Sequence, residues 1–327
     1  MPNSPFAIRF HEKGGPEVLK AEPIEPGEPA PGQVLVRQGA IGLNFIDTYF
    51  RSGLYPVDLP GGLGNEAAGV VEAIGEGVVD FREGDRVGYF TGPLGAYATH
   101  RLVESTRLVN LPDGISAEQA AAAMLKGCTA EYLIERCARV APGQTVLVHA
   151  AAGGVGSIAV QWLKAIGANV IAHSGNPAKA RIAAGLGADL SLDCPMEVLS
   201  ARVREATGGE GVPVVLDGVG AASWDASLAS VARRGLIVSY GNASGPVPPV
   251  STLDLMRRGS IFLTRPTLAD YCATPEAMRA SAARLFDMML SGKVAVQVGA
   301  YYPLAEAADA HRAIEGRRTT GSTVLTV

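Results

Sequence analysis

The sequence predicts an α/β protein of two domains, one β-rich and one built on a doubly wound parallel sheet, and three observations predict it. A chain of 327 residues exceeds what one ordinary hydrophobic core organises and suits two domains near a usual size of ~150 residues. After Pro142-Gly143 short apolar runs alternate with amphipathic helical stretches, the grammar of a parallel sheet with helices on its faces. At the head of that region a glycine cluster stands between a buried strand and a helix.

Composition narrows the partners. An apolar fraction of 47% with 18% charge describes a well-packed chain, and 40 glycines with 21 prolines imply many tight turns between short elements. A net charge of -4 leaves no broad cationic surface, which argues against nucleic acid and anionic membranes as main partners. The segment from Thr145 to Leu163 has no charged residue and the length of a membrane span, yet Gly153, Gly154 and Gly156 sit at its centre, so it reads as strand, loop and helix. Cys128, Cys137, Cys194 and Cys272 are widely spaced with no CxxC pair and read as reduced, mostly buried thiols without a metal. Met1 to Phe10 lacks the long apolar segment of a signal peptide, and a cytoplasmic, reducing compartment is expected.

Taken in order, the first third is β-rich. Val34, Val36 and the run from Gln38 to Ile41 alternate, and residues 69–75 and 84–90 are strand-like and punctuated by glycines. Pro23, Pro26, Pro29 and Pro31 keep the approach extended. A compact, irregular β-barrel-like domain follows. Six apolar runs near 146–149, 170–173, 190–193, 214–217, 236–239 and 261–264 supply the strands of a Rossmann sheet. The first helix lays Val155, Ile158, Ala159, Trp162, Leu163 and Ile166 along one stripe, and Gly167 stops it. From Pro266 the pattern breaks into a helix near 276–290 and a terminal strand near 322–327, a tail expected to rejoin the first domain. The expected boundaries are residues 1–126, 127–265 and 266–327.

In Val146-Leu-Val-His-Ala-Ala-Ala-Gly-Gly-Val-Gly156, Ala151 stands at the first position of a GxGxxG pattern, with Gly153 and Gly156 at the second and third. Gly153 lets the backbone approach a pyrophosphate and Gly156 allows close helix-to-strand packing, while the helix N-terminus offers unpaired N–H groups and a positive dipole end. At the end of the second strand, where an acid would hold a ribose lacking a 2′-phosphate, the chain reads His173-Ser-Gly-Asn-Pro-Ala-Lys179. Ser174 donates a hydrogen bond and Lys179, with Arg181, neutralises a phosphate, which favours NADPH over NADH. The five histidines fall in separate segments and no Ser/His/Asp arrangement stands out, so no nucleophile or general base is assigned.

Residues 42–56 (Gly-Leu-Asn-Phe-Ile-Asp-Thr-Tyr-Phe-Arg-Ser-Gly-Leu-Tyr-Pro), Gly64-Asn-Glu-Ala-Ala-Gly69, Leu125-Lys-Gly127 with Thr129, the Ala-Ala-Gly-Gly-Val-Gly loop, Tyr240-Gly-Asn-Ala-Ser-Gly245 and Thr264-Arg-Pro266 together resemble the bacterial quinone oxidoreductases. These are relatives of zeta-crystallin within the medium-chain dehydrogenase/reductase superfamily, and the resemblance spans essentially the whole chain. It implies a chaperonin-10-like (GroES-like) first domain beside the Rossmann domain, with cofactor and acceptor in the cleft between them. It implies that Asn44, Tyr49 and Tyr55 line the nicotinamide and quinone pocket, Tyr49 as a pocket wall or as a proton donor. It further implies that Lys126, Thr129, Gly153, Gly154, Val155, Gly156, Tyr240, Asn242 and Arg317 contact the cofactor, with Ser174 and Lys179 on its 2′-phosphate. Cys194 stands where close relatives often have a tyrosine, and Gly218 replaces a small polar residue.

Zinc alcohol dehydrogenases of the superfamily use an early Cys, the His of a Gly-His-Glu motif and a later Cys, because a catalytic zinc needs three protein ligands and an open position. The corresponding places here resemble Asn44, Asn65 and the Leu125 region, and the four-cysteine structural lobe is absent from the sequence. The resemblance, together with these missing zinc ligands, implies zinc-independent reduction of a quinone by NADPH in a homodimer. The alternatives are an NADPH-dependent enone or 2-alkenal reductase of the same superfamily, or a non-catalytic NADPH- or RNA-binding protein of the zeta-crystallin kind.

Overall fold

The computed structural model describes residues 4–327, so the first three residues of the stretch read above for a signal peptide lie outside it. The chain forms two compact units: residues up to Cys128 with Cys272–Leu290 and Val296–Val327, and Thr129–Tyr271 with Ser291–Ala295. In chain order the strands are β1 (Phe6–Phe10), β2 (Lys20–Pro23), β3 (Gln33–Leu43), β4 (Gly61–Gly62), β5 (Glu66–Ile74), β6 (Arg86–Tyr89), β7 (His100–Glu104), β8 (Val109–Asn110), β9 (Thr145–Val148), β10 (Asn169–His173), β11 (Leu190–Leu192), β12 (Val212–Asp217), β13 (Val231–Ser239), β14 (Phe262–Thr264), β15 (Val298–Pro303) and β16 (Ser322–Thr326).

The first unit is the predicted β-rich, GroES-like domain. Strands run β15-β16-β3-β5-β6-β8, with β7 also on β3, beside a small sheet β2-β1-β4. β3 is the spine because its inward positions are apolar: Val34, Val36 and Ile41 are fully buried and pack with Phe10, Leu63, Val87 and Leu325. The tail strand β16 lies antiparallel on β3, from Thr323 opposite Leu43 to Thr326 opposite Ala40. Helix α1 (Phe45–Ser52) follows β3 directly. Its eight residues are too few for a periodic pattern to stand out among strand-like neighbours, which is why the sequence showed no helix there.

The second unit holds one six-stranded parallel sheet, β11-β10-β9-β12-β13-β14. Counted within the unit this is the order 3-2-1-4-5-6 of a Rossmann fold. The stretch without charges from Thr145 to Leu163 is β9, a loop and helix α3 (Gly154–Ala165), numbered after α2 (Ala117–Glu131). Gly167 ends α3 as predicted: its φ is +82°, Gly167 N–H reaches Lys164 C=O at 3.1 Å and Ala168 N–H reaches Leu163 C=O at 2.9 Å. No helix among the described residues is long and apolar enough to cross a membrane.

Candidate active site

In the first unit the site grows from Glu66, at the start of β5. Its carboxylate is fully buried and accepts hydrogen bonds from Lys126 Nζ (2.9 Å), Asn44 Nδ2 (2.7 Å) and Leu125 N–H (2.7 Å). Asn44 and Lys126 are thus brought together by an acid the sequence reading quoted but gave no role. A glutamate heading an apolar strand was the available signal, since a buried charge demands partners. Asn44 also begins α1, where its N–H donates to Asp47 Oδ2 at 2.9 Å. Tyr49 packs edge-on against Tyr55, with ring centroids 5.2 Å apart, so these two predicted pocket residues share one aromatic cluster with Phe45 and Phe50. Arg317 is exposed, in a left-handed turn two residues past Glu315, whose carboxylate Arg51 of α1 grips at 2.6 and 3.1 Å.

Behind α1 lies a buried polar chain. Arg51 donates to His311 Nδ1 at 2.8 Å, His311 Nε2 lies 3.1 Å from the Tyr97 hydroxyl, and that hydroxyl donates to Asp47 Oδ2 at 3.0 Å. Burial pushes the Asp47 carboxyl up to about 6, even though Asn44 N–H, Tyr97 and Asn65 all donate to its anion. Burial, with Arg51 beside it, pushes the His311 imidazole down to about 3. These act oppositely on acid stability. The depressed histidine contributes above its ordinary 6.5 and loses that contribution as pH falls toward about 3. The raised carboxyl contributes below its ordinary 3.8 and loses that as pH rises through about 6. From about pH 6 to pH 4 the two slopes, each about 1.4 kcal/mol per pH unit, cancel. Asp47→Asn removes one of them. Urea titrations are expected to show its stability, relative to the parent protein, falling by about 1.4 kcal/mol per pH unit over that range; a constant difference refutes the reading.

In the second unit the predicted residues lie around the C-terminal edge of the sheet, where doubly wound folds bind ligands. Gly153 is the N-cap of α3, with Gly154, Val155 and Gly156 in its first turn. A Cβ on Gly156 would lie 2.3 Å from Ala150 O, so only glycine permits that contact between helix and loop. Ser174 follows β10 with its hydroxyl buried and no hydrogen-bond partner for it among the described residues. Lys179 N–H is capped by Asn176 Oδ1 at 2.9 Å, which sets the first turn of the helix Pro177–Gly185. Tyr240 and Asn242 lie in the loop after β13, and Gly218 faces the Tyr240 ring, which a Cβ there would meet at 2.8 Å. The departure at Gly218 thus makes room for Tyr240. Cys194 contributes its carbonyl, which accepts from His173 Nε2 at 2.9 Å. Thr129 is buried, three residues beyond Lys126 on α2.

No Ser/His/Asp arrangement stands out along the chain, but folding brings such residues together. His149, His173, Asp217 and Ser227 are far apart in the chain, yet the parallel order sets the C-terminal ends of β10, β9 and β12 side by side and gathers them. Ser227 Oγ lies 2.6 Å from Asp217 Oδ2 and 3.0 Å from His149 Nε2, and the two histidine rings are 5.7 Å apart. All four are buried.

A GroES-like β unit and a 3-2-1-4-5-6 sheet headed by a glycine loop are the two parts of a medium-chain dehydrogenase/reductase. Comparison with known proteins agrees. The zinc-binding dehydrogenase family matches residues 154–285, and the alcohol dehydrogenase GroES-like domain family matches residues 30–113. A quinone oxidoreductase of Pseudomonas aeruginosa is 52% identical over 97% of this chain and 98% of its own. The crystal structure of Escherichia coli quinone oxidoreductase complexed with NADPH is 45% identical with a TM-score of 0.96, covering 98% of this chain and 100% of that one. A 2-haloacrylate reductase of a Burkholderia species is 42% identical over 98% of both chains. The chain belongs to the quinone oxidoreductase family and is an oxidoreductase.

Proposed function

We propose that this chain transfers hydride from NADPH to a quinone without zinc. The reading rests above all on 52% identity to a quinone oxidoreductase across nearly the whole of both chains, joined to the 0.96 TM-score with a relative complexed with NADPH.

NADPH fits the residues present. Gly153, Gly154, Val155 and Gly156 take the pyrophosphate at the N-terminus of α3. Ser174 and Lys179 take the 2′-phosphate, and the buried Ser174 hydroxyl, without a partner among the described residues, is a donor such a ligand satisfies. Lys126, Thr129, Tyr240, Asn242 and Arg317 complete the cofactor contacts, and Asn44, Tyr49 and Tyr55 form the wall against which the acceptor lies. When bound, NADPH supplies the hydride. A quinone is already electrophilic and gains aromaticity on reduction, so positioning by these side chains carries most of the catalysis.

Zinc does not fit. The amides of Asn44 and Asn65 act as donors, to Glu66 at 2.7 Å and to Asp47 at 3.1 Å, and beside Leu125 the Lys126 ammonium already occupies Glu66. A divalent cation there would face a fixed positive charge and find no thiolate or imidazole.

The test is steady-state oxidation of NADPH, with NADH in parallel, against 1,4-benzoquinone, 9,10-phenanthrenequinone, a 2-alkenal and 2-chloroacrylate, with and without chelator. Chelator-insensitive quinone turnover with at least about tenfold preference for NADPH is expected, the discrimination that one charge-assisted contact provides. A second reading, reduction of an activated carbon–carbon double bond, is favoured by the 42% identity to a 2-haloacrylate reductase. Turnover of the alkenal or haloacrylate with little on quinones selects it, and NADPH binding without turnover selects a non-catalytic role.

We further propose a homodimer formed through β14. This edge strand carries Phe262, 62% exposed, and the preceding helix Thr252–Arg257 exposes Leu253 and Met256. Phe262→Asp is expected to move the gel-filtration peak from twice the 33.8 kDa chain mass to that mass. A parent protein already running as a monomer ends the proposal. A cytoplasmic location suits the four thiols.

A further inference from the structure

The buried group formed by His149, Ser227 and Asp217 has no part in the function proposed above. It is not a nucleophilic triad. The Ser227 hydroxyl has one proton, and at 2.6 Å from Asp217 Oδ2 it donates to the carboxylate. His149 Nε2, 3.0 Å from Ser227 Oγ, must therefore be the protonated nitrogen and donate to Ser227. A serine nucleophile requires the opposite polarity and an exposed oxygen, and His149 and Ser227 are both fully buried.

What the group touches suggests its work. Asp217 Oδ1 accepts Val219 N–H at 2.9 Å and Gly220 N–H at 3.2 Å, and Ser223 Oγ lies 2.7 Å from both carboxylate oxygens. The carboxylate thus ties down the turn after β12, which is bound in turn to the Tyr240–Gly245 segment through Ser244 N–H on Val219 C=O at 2.8 Å. On the other side His149 immediately precedes Ala150, a non-glycine residue held at φ +50°. Ala150 O accepts Gly153 N–H at 2.8 Å, so this strained residue sets the path of the glycine loop. A left-handed alanine persists only where its neighbours over-determine it.

We propose that Asp217, acting through Ser227 on His149, is a positioning residue that holds the glycine loop in the strained conformation able to receive the dinucleotide, and fixes that loop against the one bearing Tyr240 and Asn242. This rests on the NADPH reading above. Two observations support it. Burial keeps the His149 imidazole neutral, with its pKa lowered, so the ring serves as a single-donor strut. His149 Nδ1 is left with no hydrogen-bond partner among the described residues, so Nε2 alone anchors the ring.

Ser227→Ala removes the link while leaving Asp217 its bonds to Ser223, Val219 and Gly220. NADPH Kd, read by cofactor fluorescence on the full chain, is expected to rise about tenfold, as for one buried donor left unpaired. With 1,4-benzoquinone as acceptor, the KM for NADPH should rise in parallel and kcat at saturating NADPH stay within about twofold. The double variant Ala150→Gly/Ser227→Ala tests the mechanism, because glycine adopts the left-handed conformation without strain. It should recover most of the lost affinity. A Kd within twofold of the parent in Ser227→Ala, a fall in kcat in place of the rise in KM, or no recovery in the double variant each overturns the proposal. Should Ser227→Ala fail to fold, His149→Gln, which keeps a donor facing Ser227, must bind NADPH within about threefold of the parent while His149→Phe does not. A parent protein that binds no NADPH overturns the functional reading itself, and the two failures are thereby told apart.

Discussion

Replacing Glu66 with alanine is expected to destabilise the protein by ~3–5 kcal/mol, the cost of removing one partner from a buried ion pair. Lys126 Nζ loses its counter-charge at 2.9 Å while its side chain stays buried, and the Asn44 amide and Leu125 N–H lose their acceptor as well. Water cannot easily take their place, because Glu66 is fully buried and Lys126 is only 5% exposed. In thermal unfolding this corresponds to a fall in Tm of roughly 4–7 °C for a chain of this length. The penalty belongs to the stranded ammonium more than to the lost bond, so Glu66→Ala/Lys126→Met should be clearly more stable than Glu66→Ala alone. A single variant within ~1 kcal/mol of the parent, or a double variant no better than the single, contradicts the account. The same pair supports the zinc-free reading proposed above: the Lys126 ammonium stands on the carboxylate, and the Asn44 amide donates to it.

Gly156→Ala should cost cofactor affinity on a comparable scale. Its Cβ would lie 2.3 Å from Ala150 O and 2.9 Å from Ala150 C and Ala151 Cα, all of them backbone atoms that no rotamer change can move aside. The loop must open, and overpacking of this kind costs ~1–3 kcal/mol in stability. An opened loop no longer aims its N–H groups at a pyrophosphate, and NADPH Kd is expected to rise about a hundredfold, as for two charge-assisted hydrogen bonds at ~1.5 kcal/mol each. Gly185→Ala is the control, since a Cβ there meets nothing within 4 Å. Kd for Gly156→Ala within a few-fold of the parent would show that the loop does not grip the dinucleotide.

Much of this protein was legible in its sequence, for reasons that are local. Apolar runs such as Val146 to Val148 and Val214 to Leu216 announce buried strands, and a glycine cluster before an amphipathic stripe marks the turn into α3 whatever surrounds it. The stop at Gly167 was legible too, because a left-handed C-cap depends on one residue type. Helix α1 was not, since eight residues give barely two turns and its cap by Asp47 is a side-chain geometry. The polar clusters were even less accessible. Glu66 is 60 positions from Lys126, Ser227 is 78 from His149 and Arg51 is 260 from His311, and only strand order and helix docking decide which of these meet. The sequence by itself determined most of the element types, the glycine loop and the family. The tertiary structure alone decided which buried charges share a partner, because a charge withdrawn from water finds its counterpart in space, and separation along the chain says nothing about where that will be.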